Sequence, residues 1–341
     1  MTLRATLTLT GAAVALAVVA AAPASAQDET CGGLDRPVVF GGLDYDSAAF
    51  HTAVAKTILE AGYGCETEVV PGTTLVLNTG MGRGDVDVLM EVWTANTAQA
   101  FLDAEAEGAV ERLGATFPDA TEGWFVPRYL VEGEGAAAPG LKSVADLAAH
   151  ADLFADPEEP GKGRFLNCVI GWQCEVVNTK KLTAYGLDEI YNNVRPGAGA
   201  ALAATVESAV LREDPVLFYH WAPTWLLGKY DFVKLEEPPF DQAVWDEMME
   251  AETPTQATAY PETRVVIGAN TEFTAAAPAL REFFMAYGTT AAETSAALAY
   301  MRNEDATPDE AAAVFLKDHG DIWKSWVSAD VAEKVSKSIA E

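Results

Sequence analysis

The apolar positions of this chain alternate between two periods. Residues 37–42 (Pro-Val-Val-Phe-Gly-Gly) form a short apolar run ending in glycines, the pattern of a buried strand that empties into a loop. The period then lengthens: over residues 48–61, Phe50, Val54, Ile58 and Ala61 fall on one helical face, Asp46 or Ser47 supplies the cap, and Gly62 and Gly64 end the helix. A second strand over 66–70, a helix opened by Gly72-Thr73-Thr74 and a third strand over 85–93 follow. Strand, helix, strand, helix, strand at this spacing predicts a parallel sheet with helices on its faces.

The pattern then changes and later returns. A helix over 96–107, an aromatic strand around 124–132, a Gly/Ala break over 133–140 and a short helix over 144–149, capped by Ser143, lead to an acidic, Pro-rich segment at 156–160. Next come a Cys-rich loop, Cys168-Val-Ile-Gly-Trp-Gln-Cys174, a helix beginning near Gln173 and reaching Tyr185, a longer helix over 200–211 and an aromatic strand over 215–225. These read as a second α/β unit. Residues 238–261 are irregular, with Trp245, Met248 and Met249 on a short helix. A strand over 264–269 resembles the first three. The helices after it carry clear start signals: Pro278 in the first turn of one bearing Leu280, Phe283 and Phe284, and Thr307-Pro308-Asp309-Glu310 opening another. Residues 321–340 close the chain as a helix or a broken pair.

The first 26 residues are expected to be an export signal: Arg4 in the basic region, an uncharged, mostly apolar stretch over 5–22, and Ala24-Ser25-Ala26 as the cleavage site. The mature chain then begins near Gln27, and no cysteine at the cleavage point offers a lipid anchor. No second apolar run is long enough to span a bilayer. The remaining 315 residues suit two domains. They carry 21 basic and 51 acidic residues, a net charge of −30, which repels nucleic acid and anionic lipid and mildly steers cations inward. The same acidity also serves as a solubility or salt adaptation. Four cysteines in an exported chain read as two disulfides rather than a zinc site, because no Cys-x-x-Cys pair is present and His51, His150, His220 and His319 do not cluster. The favoured pairing is Cys168 with Cys174 and Cys31 with Cys65, the latter because each precedes a strand and neighbouring parallel strands bring their starts together.

Chemistry is concentrated at strand ends and at the Cys-rich loop. Closing Cys168 on Cys174 fixes the ring of Trp172, and the helix starting near Gln173 points unpaired N–H groups to the space beside it. An aromatic face next to amide donors suits a small molecule with an apolar cation at one end and an oxygen acceptor at the other. In open parallel sheets ligands lie beyond the carboxyl ends of the strands. Trp93 stands at such an end, and Glu91 shares its parity. The strand alone leaves Trp93 open as a core aromatic or a cleft wall.

Three stretches carry a resemblance over the mature chain: Glu91-Val-Trp-Thr94, the Cys168–Cys174 loop with its helix, and Phe218-Tyr-His-Trp-Ala-Pro-Thr-Trp225. In order and approximate spacing they resemble the periplasmic substrate-binding proteins of ABC transporters, within them the glycine betaine and proline betaine (quaternary ammonium) binding family. The resemblance implies two doubly wound α/β domains of the type II periplasmic-binding-protein kind, joined by two crossovers, with the ligand in the interdomain cleft. Domain 1 would comprise residues 27–127 and 263–341, and domain 2 residues 128–262. It further implies capture of a small methylated onium compound, such as glycine betaine, choline, trimethylamine N-oxide, carnitine or dimethylsulfoniopropionate, by a monomer that returns it chemically unchanged and needs no cofactor or metal. Permease and ATPase would be separate chains. Trp93, Trp172 and Trp221 would wall the cation box, and the N–H groups of Gln173 and Cys174 would face the other end of the ligand. Thr97 stands where the family pattern has a histidine; His220 is a candidate substitute donor. Trp124 is a candidate fourth wall, and Glu91 and Tyr45 are further candidates. Two other readings are a binder of an unrelated solute such as an amino acid, which would place Arg128 or Arg195 in the cleft, and a secreted carbohydrate-active enzyme.

Overall fold

The computed structural model describes residues 30–340; the expected export signal lies outside them. The first unit opens as the pattern predicts, with β1 (Val38–Leu43), α1 (Asp46–Ile58), β2 (Thr67–Gly72), α2 (Thr74–Arg83), β3 (Val88–Trp93) and α3 (Gln99–Ala106). β1 pairs with β2 and β3 in parallel. A disulfide joins Cys31 to Cys65 at the starts of β1 and β2, with Cα atoms 4.4 Å apart.

The next strand differs from expectation. Instead of an aromatic strand over 124–132, an 18-residue β4 (Val110–Pro127) runs out of the first unit and is followed by the short α4 (Arg128–Val131). Its first part is broken into polar and apolar patches by register shifts, so no clean period of two marks it in the sequence. Pairing along β4 changes partner between Ala120 and Thr121: residues up to Ala120 pair with β9 (Thr263–Asn270), and from Thr121 they pair with β7 (Leu217–Ala222).

The second unit contains β5 (Gly163–Leu166), α5 (Gln173–Ala184), β6 (Tyr191–Val194), α6 (Gly199–Leu211), β7, α7 (Trp225–Lys229), β8 (Phe232–Lys234) and α8 (Gln242–Glu250). The segment around 144–154, expected as a short helix, is an 11-residue 3₁₀ run whose Ser143 and Asp146 form a capping box. After β9 come α9 (Thr271–Ala276), α10 (Pro278–Ala286), α11 (Ala291–Glu304), α12 (Pro308–Asp318), α13 (Gly320–Trp323) and α14 (Ala329–Ser338). The strand order is β2-β1-β3-β9-β4-β7-β5-β6, with β8 on β4. Each half of this sheet is covered on both faces. One face of the first half carries Phe40, Phe50, Ile58, Phe284 and Trp323, and the other carries Leu77, Met81, Leu89 and Phe101. In the second half the clusters centre on Trp124, Phe165 and Tyr191, and on Phe125, Leu202 and Phe218. Among the described residues no helix is long and apolar enough to cross a membrane.

Candidate functional site

The loop that separates β5 from α5 is held by a second disulfide, Cys168 to Cys174, with Cα atoms 5.9 Å apart. Gly171 lies in the left-handed region (φ +93°), and a Cβ there would fall 2.9 Å from the Thr73 hydroxyl. The loop therefore presses directly on the start of α2, and Leu75 N–H donates to Gly171 C=O at 3.2 Å. Trp172 is carried into the space between the halves, where its Nε1–H donates to Asp44 Oδ1 at 2.6 Å. Beneath its ring lies Gly199, whose Cβ, if present, would come within 2.8 Å of the indole.

Three aromatic planes meet there almost at right angles. Tyr45 and Trp172 have centroids 5.3 Å apart at 71°, Tyr45 and Trp221 are 6.2 Å apart at 76°, and Trp172 and Trp221 are 5.4 Å apart at 80°. Mutually perpendicular planes make the inner corner of a box. Trp93, at the end of β3, adds a fourth ring to the same cavity, oriented by an Nε1–H bond to Glu91 Oε2 at 2.9 Å. The cavity is narrow, with room of about 40 Å³ for the centre of a water-sized molecule, and is partly open to solvent. Asn78, Glu91, Asn96 and Thr97 line it from the first half; Glu122, Gln173, Cys174 and Tyr219 line it from the second. Tyr219 is two residues before Trp221 on β7, so both side chains leave the same face, 6.2 Å apart and nearly stacked. Gln173 and Cys174 are the first residues of α5, and first-turn N–H groups have no partner within a helix.

Two carboxyl groups are buried in the lining. Burial pushes the Glu91 pKa up to about 8, partly offset by hydrogen bonding from Ser47, Trp93 and Tyr45. Glu122 is pushed up to about 7 by burial, partly offset by hydrogen bonds from Tyr219 and Thr263 and by the Lys181 and Lys234 charges. Its Oε1 accepts from Asn96 Nδ2 at 2.7 Å and Tyr219 Oη at 2.5 Å. Thr97 lines the cavity, but its hydroxyl donates to the Trp93 carbonyl at 3.0 Å. It has no second proton to give.

Two candidates are not in the lining. Trp124 is fully buried within the second half, its Nε1–H donating to Asn178 Oδ1 at 2.8 Å and its ring against Phe165 at 4.4 Å. His220 is buried on the face of β7 opposite Trp221, neither ring nitrogen bonded, and burial lowers its pKa to about 3. Alternation along the strand makes this unavoidable once Trp221 faces the cleft. Arg128 pairs with Asp231 and Glu132, and Arg195 with Glu175; neither lines the cavity. Glu122, Tyr219, Asn78 and Asn96 were missed from sequence. Tyr219 was readable from its parity with Trp221, and Asn78 from a helix-unfriendly side chain one turn after Thr74. Nothing local marks Glu122, which depends on the path of β4.

The opposed titrations give a stability prediction. Glu91 and Glu122 hold protons in the folded state that the unfolded chain releases near 4.5; their contribution is full below that value and lost as pH rises through about 7 and about 8. His51 and His220, both depressed to about 3 by burial, contribute fully above 6.5 and lose that contribution as pH falls toward about 3. Melting of the ligand-free protein should thus peak at roughly pH 5–6 and decline toward pH 9. A melting temperature that climbs steadily from pH 6 to pH 9 would contradict the buried, protonated carboxyls.

The chain can now be set beside known proteins. A family model described as the substrate binding domain of ABC-type glycine betaine transport systems matches residues 36–318. The glycine betaine/proline betaine-binding periplasmic protein of Escherichia coli K12 is 26% identical over 266 residues, covering 74% of this chain and 78% of that protein. The glycine betaine-binding periplasmic protein OusX of Dickeya dadantii is 25% identical over 164 residues, covering 47% of this chain and 48% of that protein. A solved ABC-transporter choline binding protein in complex with choline superposes with a TM-score of 0.73 at 20% identity, over 91% of this chain and 99% of that one. A lactococcal protein closed on glycine betaine gives a TM-score of 0.68 at 18% identity, over 86% of this chain and all of that one. At these identities the two structures show the shared fold.

Proposed function

Given that the chain belongs to the substrate-binding family of ABC-type glycine betaine transport systems, we propose that it captures a methylated onium compound in the corner formed by Tyr45, Trp172 and Trp221, with Trp93 closing the box. The protein is the substrate-binding component of an ABC importer and acts in the periplasm with a permease and an ATPase on separate chains. Its relatives are transport binding proteins; this chain likewise binds and releases its ligand without turning it over. A trimethylammonium group has no N–H to donate, so it is recognised by shape and by attraction to ring faces. The near-perpendicular meeting of two buried indoles and the half-buried Tyr45 ring is the observation that carries the reading. Four desolvated faces at up to ~2 kcal/mol each approach the ~8 kcal/mol of micromolar binding.

In this reading the units 30–120 and 263–340 on one side, and the intervening residues on the other, move as two bodies about β4 and the segment entering β9. Ligand touching both halves favours the closed arrangement through differential contacts. Calorimetric titration of protein unfolded and refolded to strip bound solute, against glycine betaine, choline, carnitine, trimethylamine N-oxide and dimethylsulfoniopropionate, tests it. Glycine and a simple sugar serve as controls. Micromolar or tighter binding of at least one onium compound, recovered intact after incubation, is expected. Binding of a control in place of every onium compound would overturn it.

A further inference from the structure

The cavity's charge and hydrogen-bonding pattern narrow the ligand beyond its methylated head. The lining contains two carboxyl side chains, Glu91 and Glu122, and no Lys, Arg or His. A buried acceptor in it, Asn78 Oδ1, has no partner among the described residues. The orientation of Asn78 is fixed, because its Nδ2 donates to the Thr74 carbonyl at 2.7 Å and leaves Oδ1 as the free end. The one lining hydroxyl at the position of the family's histidine, that of Thr97, is spent on Trp93. A ligand carboxylate entering this space would find no cationic side chain to pair with and two carboxyl side chains beside it. A ligand hydroxyl would find an acceptor for its proton in the Glu91 side chain, and donors for its oxygen in the first-turn N–H groups of Gln173 and Cys174.

We infer that Glu91 and Glu122 make this a charge-selecting site, which takes an onium cation bearing a hydroxyl group and discriminates against the zwitterion in which a carboxylate replaces that hydroxyl. The inference rests on the onium-binding reading above and adds the identity of the group at the other end of the ligand. The hydroxyl's single proton goes to Glu91; Glu122, held by Tyr219, Thr263 and Asn96, supplies the second carboxylate.

A cation brought against two buried carboxyl side chains favours their ionised forms, so capture releases whatever protons they carry. The groups around Glu91 are Tyr45 on the loop after β1, Ser47 on α1, Trp93 on β3 and Tyr287 after α10. Around Glu122 are Tyr219 on β7, Thr263 on β9, Tyr45, Tyr260, Lys181 on α5 and Lys234 on β8. The charges of Lys181 and Lys234 hold Glu122 closer to ionisation than Glu91, which has no cationic side chain beside it.

Choline and glycine betaine share one head group and differ at the far end, so they are the decisive probes. Titration of the refolded wild type should give a dissociation constant for choline at least ~10-fold lower than for glycine betaine. Choline affinity should rise between pH 6 and pH 9, with protons released at pH 7 as read from heats in two buffers of different ionisation enthalpy. Glu91→Gln and Glu122→Gln keep the shape; each should shrink the choline preference at least ~3-fold while far-ultraviolet circular dichroism stays native. Equal or tighter binding of glycine betaine by the wild type would overturn the inference and leave the onium reading standing. Binding of neither would remove both. If both variants misfold, the wild-type ratio and its proton release still decide.

Discussion

Trp172→Ala is expected to weaken onium binding by at least ~100-fold, about 3 kcal/mol, and to do so without unfolding the protein. Three losses add up at one position. The cation loses a desolvated ring face worth up to ~2 kcal/mol, the Trp172 Nε1–H bond to Asp44 across the cleft is broken, and the corner it makes with Tyr45 and Trp221 is opened to water. Trp172→Phe separates the contributions, since it keeps a face but has no N–H; it should fall between the wild type and the alanine variant. Calorimetry with the tightest-binding onium compound reads the effect, and unchanged affinity in Trp172→Ala would place the ligand elsewhere.

The second large effect lies behind the cavity. Lys181 and Glu237 form an ion pair at 2.5 Å with both side chains essentially inaccessible, the Lys181 ammonium 4.1 Å from the Tyr260 ring centroid and Tyr185 Oη donating to the same carboxylate at 2.9 Å. Burial pulls the Lys181 pKa down while Glu237 pulls it back up. Lys181→Met removes the partner and leaves an acid in an apolar surround, a change that costs about 3–5 kcal/mol in comparable sites. For a chain of this size the melting temperature should drop by roughly 10 °C. The double variant Lys181→Met with Glu237→Leu removes both charges and should recover most of that loss, because a well-packed apolar pair avoids the desolvation penalty. A double variant no more stable than Lys181→Met would mean that the pair's hydrogen bonds to Tyr185, rather than its charges, hold this region together.

Much of this was legible before any coordinates. The first three strands, the capped C-terminal helices and the Cys168 loop follow from local periodicity and start signals, and Cys31 and Cys65 meet because parallel neighbours begin side by side. What stayed hidden depends on long-range pairing. β4 bends out of one half and into the other with repeated register shifts, so its inward positions keep no fixed parity and Glu122 could not be assigned to the cleft. Trp124, two residues on, lies in the interior of the second half for the same reason. His220 is the reverse case: its placement followed from alternation once Trp221 was put in the cleft. Tyr45 was readable only as a loop residue, and its importance comes from two rings that approach it from 127 and 176 positions further along the chain.

The hydrogen bond between Leu75 and Gly171 spans the mouth of the cleft, and the residues beside it, Val76 and Ile170, are the ones most open to solvent there, at 64% and 62% exposure. Side chains that contribute little to either interior but sit on opposite lips are natural attachment points for a pair of dyes. Labelled there, the protein becomes an optical gauge of its own occupancy, with emission reporting the separation of the lips in real time and the binding chemistry deeper in the cleft left untouched.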